Sequence, residues 1–515
     1  MLSWLKGDKV DHPLANAKRV KQLIDSLPYR DPWQTLEDVN HWLDSINDTP
    51  EFKLDSRFEL IDTLDVATRK CQEQLVVAYL TLGEEGRIQE RRISKTVTEF
   101  WTRLGNGYLA CARQASDSKN VPHSFRPLLP VIAVRGLRAI RQQIKWVLMR
   151  YGVTRPEMWG ECGRFAILAE SVDAAATQIE IYAGSKARSS SNYELLRVMM
   201  LWATSPSGLS PLEQDIAERF VVHFTPKFRF STRRQDECDY FFDLFGSRPP
   251  LRFVSSSPIS DATRYFDAGE ARQAVDAMMV SMVTSTGNLP ADFELGPATE
   301  PNVVARVLKH LKLNWAKEMP ARASERRKTA LRLHVVHGYQ GVLGAVAPGN
   351  AEGLDFSNTL SHDSWVAEDA SAGGYGVIVP AGKGEWLRVG VLVAVRSETE
   401  SSWNLGVIRR VKGDDYRQYH IGIQLISKSA VPVQLRTLTA ASAGRKRQSA
   451  ILLSERPSRA GSLHIVVRRD LFSGREPIEA LYGKHESGVR LDPGGVVETG
   501  DDFDWLRYKR LESAA

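Results

Sequence analysis

The sequence predicts a multidomain protein of the α plus β class: a helical amino-terminal bundle or irregular solenoid, then a small antiparallel β-barrel and a β-rich carboxy-terminal appendage. From Leu14 to about Phe245, apolar residues recur at steps of three and four, which is the period of one helix face. After Thr329 the period falls towards two, as in strands with one buried face. The 515 residues are too many for one hydrophobic core, so we expect about two to four domains.

Composition changes along the chain divide it into four predicted regions. Residues 1–245 are expected to form the helical domain. Residues 246–320 contain paired prolines and runs of serine, which predict a loop-rich connector with helices. Residues 321–440 are expected to form the barrel, and residues 450–515 a small β-rich module. No fixed period of about 20 to 50 residues is visible, so no repeat family is predicted.

Helical periodicity predicts several helices before the barrel. The helix start at Ser210, Pro211 and Glu213 has the form of a capping box, in which serine caps and proline fits the first helical position. Four basic residues, Arg135, Arg138, Arg141 and Lys145, lie at helical spacing. That pattern is typical of a solvated helix surface, with contact to nucleic acid as the alternative. The predicted helices lie near 14–27, 35–46, 58–82, 91–115, 131–151 and 302–317.

Composition excludes the extreme classes. Hydrophobic residues make up 43% and charged residues 25%, with a formal net charge of +6, so neither a disordered nor a membrane protein is favoured. The mild basic excess weakly favours acidic partners. The amino terminus lacks a signal-peptide pattern, and the longest apolar run, 75–82, is too short for a membrane span, so we expect a cytoplasmic protein. The cysteines lack C-x-x-C spacing, which predicts buried thiols, and no metal or cofactor is expected.

Alternating apolar residues predict the strands of the carboxy-terminal half. Four short runs at this cadence indicate a small antiparallel barrel. In the last region we expect another strand, then two short runs separated by a turn at 492–495, and a turn at 501–505 before the final strand. Consecutive acidic residues in that last turn lack the alternate spacing of a calcium loop. The predicted strands cover 331–336, 391–396, 405–411, 421–426, 463–467 and 489–497.

The candidate site combines a hairpin motif with an upstream basic segment. Asp369, Ser371 and Gly374 form the pattern D-x-S-x-x-G between two predicted strands, and Arg322 and Arg326 precede the first strand. A carboxylate can accept hydrogen bonds from a guanine edge, and arginine binds phosphate oxygens in a bidentate fashion. The pattern therefore favours a binding site for a nucleotide-like dianion. Taken alone, D-x-S-x-x-G is also typical of an ordinary turn.

Three features in this order resemble the PilZ domain. They are R-x-x-x-R at 322–326, D-x-S-x-x-G at 369–374, and the paired strands at 406–411 and 419–426, which look like that family's closing hairpin. The resemblance covers residues 321 to about 435. PilZ domains are cytoplasmic bacterial receptors for cyclic di-GMP, and the resemblance implies that this chain binds the same messenger.

The resemblance also implies a role for each matching residue. Arg322 and Arg326 would bind phosphates and stack on guanine faces, and Asp369 would accept hydrogen bonds from a guanine edge. Ser371 would add a hydroxyl contact, and Gly374 would let the backbone approach the ligand. Lys328 and Arg332 repeat the four-residue spacing of the arginine pair, but we prefer the earlier pair because it precedes the first strand. The long gap before Asp369 predicts an inserted loop.

The sequence therefore predicts a non-enzymatic signalling protein. The helical region would relay cyclic di-GMP binding to an unknown protein partner, with motility, pili, exopolysaccharide or biofilm as the output. One alternative is a basic β-barrel that binds single-stranded nucleic acid through Trp386, Trp403, Tyr416 and Tyr419. The others are a PilZ-like scaffold without ligand and a helical, chaperone-like scaffold. No nucleophile, base or metal arrangement favours an enzyme.

Overall fold

The computed structural model divides the chain into two compact units. One comprises residues 1–206 and 211–320, and the other residues 207–210 and 321–515. No helix within the described ranges is long and apolar enough to cross a membrane. The structure describes residues 10–82, 86–117, 121–235, 237–254, 257, 260–284, 293, 299–318, 325–347, 362–380, 382, 386–438, 447–453, 461–481 and 488–510.

The first unit is predominantly helical, which confirms the predicted helical amino-terminal region. Its three longest helices, which span residues 54–81, 87–117 and 129–149, pack side by side. They bury large apolar side chains such as Phe100, Tyr108 and Trp146. Helix α2 begins at Pro32, earlier than predicted, because Asp31 caps the backbone N–H of Gln34 and proline fits the first turn. The helices are α1 Ala17–Ser26, α2 Pro32–Asn47, α3 Leu54–Thr81, α4 Arg87–Asp117, α5 Leu129–Met149, α6 Pro156–Glu170, α7 Ser191–Ala203, α8 Pro211–Phe224, α9 Ala271–Thr284 and α10 Pro301–Asn314.

The prediction of a solvated basic face on α5 is wrong. Arg135, Arg141 and Lys145 are each about 5 to 6% exposed, because acidic residues of other helices meet them inside the unit. Arg141 forms ion pairs with Glu194 of α7 and Glu218 of α8. Burial would raise the pKa of Glu194, but the guanidinium groups of Arg197 and Arg141 outweigh it and hold that pKa below its usual value.

The first unit also contains short strands that the sequence analysis did not predict. Strands β3 to β6 form a four-stranded antiparallel sheet in the order β3-β6-β4-β5, and β1 pairs with β2. The central strand β6 is fully buried, and consecutive buried residues hide the period of two that marks a half-exposed strand. These strands are β1 Ile179–Glu180, β2 Arg188–Ser189, β3 Arg229–Ser231, β4 Tyr240–Asp243, β5 Leu251–Arg252 and β6 Thr263–Asp267.

The second unit begins with a closed, six-stranded antiparallel barrel, which we call the first barrel. It confirms the small antiparallel barrel that the closely spaced short strands predicted. Strand β7 pairs with β8 on one side and with β10 on the other, and this closes the sheet. A short helix, α11 (Tyr339–Ala345), follows β7. The strands are β7 Arg327–His337, β8 Asp363–Ser371, β9 Gly374–Pro380, β10 Leu392–Ser397, β11 Asn404–Gly413 and β12 Gln418–Ser427.

The β-rich carboxy-terminal part is a second closed barrel with the same strand connectivity. If the six strands of each barrel are numbered in chain order, both barrels pair as 1-2-3-6-5-4 and close between 4 and 1. Strand β17, predicted as two runs about a turn, is continuous, and register irregularities between Pro493 and Glu498 accommodate its glycines. The strands are β13 Val431–Thr437, β14 Gln448–Leu452, β15 Ser462–Arg468, β16 Ile478–Leu481, β17 Val489–Thr499 and β18 Phe503–Arg510.

The two barrels share a buried apolar cluster within the second unit. This cluster contains Leu392 and Val407 of the first barrel, Ile451 and Phe503 of the second barrel, and residues of α11. Beside it, the carboxylate of Asp502 accepts hydrogen bonds from the backbone N–H groups of Tyr339 and Leu392. Apolar burial and a charged acceptor on backbone donors together fix one barrel against the other.

We expect the thiols of the first unit to be unreactive in the native protein. Cys71, Cys111, Cys162 and Cys238 are buried and free, and desolvation raises the pKa of Cys111 to about 12, so its nucleophilic thiolate is scarce at neutral pH. Titration with Ellman's reagent at pH 8 should detect almost no thiol in the native chain and all four in denaturant. Rapid reaction of two or more native thiols would contradict this packing.

Candidate functional site

A cavity of about 710 Å³ opens on the first barrel, beside the β8–β9 hairpin and the β11–β12 pair. Basic side chains, acidic side chains and several glycines line it. The lining includes Arg326, Glu368, Asp369, Ser371, Gly374, Gly376, Arg409, Arg410, Lys412, Asp414, His420 and Gln424. The cavity therefore offers both cationic and carboxylate groups to a ligand.

The D-x-S-x-x-G motif forms the tight turn between β8 and β9. Gly374 has φ of +156°, and a Cβ atom there would lie 1.9 Å from the carbonyl oxygen of Ile423 on β12. Ser371 lies opposite Gly374 in the hairpin, with its hydroxyl 3.5 Å from the Gly374 carbonyl oxygen. A side chain at position 374 would push the hairpin away from β12, so glycine keeps this wall of the cavity closed.

Arg326 and Asp369 meet in the cavity. Arg326 Nη1 donates to Asp369 Oδ2 over 3.1 Å, and the two side chains are 43% and 29% exposed. The other carboxylate oxygen, Oδ1, is buried and has no hydrogen-bond partner among the described residues. Gly376 lies directly beneath it, since a Cβ atom there would come within 2.6 Å of Oδ1. Asp369 thus keeps one acceptor that the described residues leave unsatisfied.

Two β-bulges bring neighbouring residues onto the same cavity. In a regular strand, adjacent side chains face opposite sides of the sheet. The β8–β9 register shifts between Ala367 and Asp369, and the β11–β12 register shifts between Ile408 and Arg410. A bulge redirects the extra residue. Consequently Glu368 and Asp369 both line the cavity, as do Arg409 and Arg410.

His420 lies between two carboxylates that line the cavity. Its Nδ1 lies 3.1 Å from Glu368 Oε2, and its Nε2 lies 3.0 Å from Asp414 Oδ2. Desolvation acts to raise the pKa of Asp414, but hydrogen bonds from the Gln418 backbone and from His420 outweigh it and lower that pKa. Asp414 is therefore held as an ionised acceptor at neutral pH.

The structure brings four of the five sequence-predicted site residues together. Arg326, Asp369, Ser371 and Gly374 line one cavity, and Arg322 lies outside the described residues. Arg332, from the alternative arginine register, is 3.8 Å from Glu398 and does not line this cavity. The structure thus supports Arg326 as the arginine that accompanies Asp369.

Five further cavity residues carry no recognisable pattern in the sequence: Arg409, Arg410, Lys412, Asp414 and His420. The only available signal was the pair of arginines that ends the apolar run of β11. Strand alternation predicts that adjacent arginines face opposite sides, and no sequence pattern revealed the bulge that overrides it.

Comparison with protein-family models identifies the domain that contains this cavity. Residues 355–432 match the model described as the middle PilZ domain of the cyclic-di-GMP receptor FimW. The chain therefore contains a PilZ domain, as the resemblance indicated. Residues 18–235 match the model of the N-terminal domain of the same receptor, so the helical region and the barrel follow that receptor's domain order. A search of curated proteins found no match.

Gly374→Ala should destabilise the second unit, because the new methyl group has no room against the β12 backbone. We expect a loss of about 1–3 kcal/mol in the free energy of unfolding, the usual effect of overpacking. Calorimetry of the full chain would measure it. Gly382→Ala is the matched control, since a Cβ atom there meets nothing within 4 Å. Equal stability of both variants would contradict the close approach at Gly374.

Proposed function

We propose that this chain is a cytoplasmic bacterial receptor that binds cyclic di-GMP in the cavity of its PilZ domain. The observation that carries the proposal is the convergence of Arg326, Asp369, Ser371 and Gly374 on one cavity that holds both cationic and carboxylate groups. The names of the two matching family models support the same ligand.

The cavity chemistry suits a cyclic dinucleotide of guanine. Its phosphodiester groups are anionic and would bind Arg326, whose guanidinium can also stack on a base. The N1–H and amino group of guanine are donors, and the carboxylate of Asp369, which lines the cavity, is an acceptor. Ser371 would add a hydroxyl contact, and Arg322 of the preceding segment would complete the phosphate clamp.

We further propose that the protein acts as an effector without catalysis or a cofactor. Ligand binding would order Arg322 and Arg326 around the dinucleotide, and the helical region would then present or withdraw a surface for a protein partner. Motility, pili, exopolysaccharide or biofilm control would be the output.

The single-stranded nucleic acid alternative has little structural support. Such proteins need exposed aromatic platforms beside a basic groove. Trp386 is 8% exposed and stacks with Trp365 and His337, so it cannot receive a base. Of the four candidate aromatics only Tyr416, at 84%, is fully exposed.

Isothermal titration calorimetry with cyclic di-GMP tests the proposed function. The full chain should bind with micromolar or tighter affinity. Arg326→Ala and Asp369→Ala should each weaken binding by about one to two decades, because each removes a charge-assisted contact worth roughly 1.5–3 kcal/mol. Arg332→Ala is the control, since this arginine lies outside the cavity and should leave the affinity unchanged.

Absence of heat with the wild-type chain would overturn the proposal, above all if the same protein bound single-stranded oligonucleotides tightly. Binding that is retained in Arg326→Ala and lost in Arg332→Ala would instead show that the arginine register is wrong.

A further inference from the structure

Arg409 connects the cavity of the first barrel to the second barrel. It lies at the β11 bulge and lines the cavity. Its Nε donates to Gln424 over 2.7 Å, and its two Nη atoms form a bidentate pair with Glu498 of β17, at 2.7 Å for Nη2. The Arg409 side chain is 33% exposed and that of Glu498 is 16% exposed. A carboxylate of the second barrel thus neutralises a cation of the candidate site.

The guanidinium keeps bonding capacity for a ligand. It has five N–H groups, and the contacts with Gln424 and Glu498 use three of them. A phosphodiester that approached Arg409 would share the cation with the Glu498 carboxylate. Two anions on one guanidinium repel each other, so each weakens the binding of the other.

The second barrel repeats the strand connectivity of the first, but the sequence of its corresponding connection differs from the PilZ motif. Its β14–β15 connection occupies the same place in the topology as the β8–β9 hairpin. The sequence between these two strands reads Arg456, Ser458 and Gly461 at the spacing of Asp369, Ser371 and Gly374, with an arginine in place of the aspartate of the pattern. A cation cannot accept a hydrogen bond from guanine. Within the described residues, Glu498 is the group of the second barrel that pairs with a cavity residue, Arg409.

Resting on the proposed function, we propose that Arg409 is a phosphate-binding residue of the cyclic di-GMP site and that Glu498 competes with the ligand for it. The same competition acts in the other direction: bound ligand weakens the ion pair between Arg409 and Glu498. Coupling between two binding equilibria acts equally in both directions. The second barrel then reports occupancy of the first through one ion pair at their boundary.

Calorimetry on Glu498→Gln tests the competition. Glutamine keeps the size of the side chain and removes its charge, so the affinity of the full chain for cyclic di-GMP should rise by about two- to fivefold, the range for a partly exposed ion pair. Arg409→Gln should lower the affinity about tenfold or more. In the Arg409→Gln background, the further change Glu498→Gln should have no effect.

Glu479→Gln is the matched control. Glu479 lies in the same barrel, is 13% exposed and forms a comparable pair with Arg436, away from the cavity. Its replacement should leave the affinity unchanged. Weaker or unchanged binding by Glu498→Gln overturns the competition, as does an equal gain in the Arg409→Gln background or in Glu479→Gln.

The wild-type titration separates the two proposals. If the wild type binds cyclic di-GMP and Asp369→Ala weakens that binding by about one to two decades, an unaltered affinity in Glu498→Gln overturns only the role of Glu498. If the wild type does not bind cyclic di-GMP, the proposed function and the competition both fall.

Discussion

Closure of the first barrel is the constraint on which its cavity depends. Because β7 pairs with both β8 and β10, every strand has two partners and the side-chain alternation is fixed around the ring. A regular ring could present only every second residue to one face. The bulges in β8 and β11 break the alternation at two places and put adjacent charged residues on the same side. The cavity thus obtains its charge density from irregularity in an otherwise regular barrel.

The two barrels contact each other through both apolar and charged groups. Two barrels with the same connectivity pack through a shared apolar cluster, and Asp502 accepts hydrogen bonds from the backbone of the first barrel. This packing places Glu498 of β17 against Arg409 of β11, which occupy corresponding strands. The contact between the second barrel and the cavity lining is an ion pair.

Sequence patterns predicted the features that depend on residues close together in the chain. Strand alternation and helix periodicity located most elements, and D-x-S-x-x-G identified the hairpin that carries Asp369. Contacts between residues that are far apart in the sequence could not be predicted from such patterns. The arginines of α5 looked solvated because their partners, Glu194 and Glu218, lie on helices far along the chain. Arg409 had no assigned role for the same reason, since its partner Glu498 is 89 residues away. The bulges depend on cross-strand register, which a single strand sequence does not encode.

The carboxylates that line the cavity bear on which anions it could bind. A site for phosphate alone would gain from cations only, yet Glu368, Asp369 and Asp414 line the same cavity as Arg326 and Arg410. These carboxylates repel a polyanion and stabilise a ligand that offers N–H donors at a fixed distance from its phosphates. Guanine bases on a compact phosphodiester ring meet both demands, whereas an extended nucleic acid strand would bring further phosphates against the carboxylates. Under the proposed function, the acidic groups would supply selectivity and the arginines would supply affinity for any phosphate.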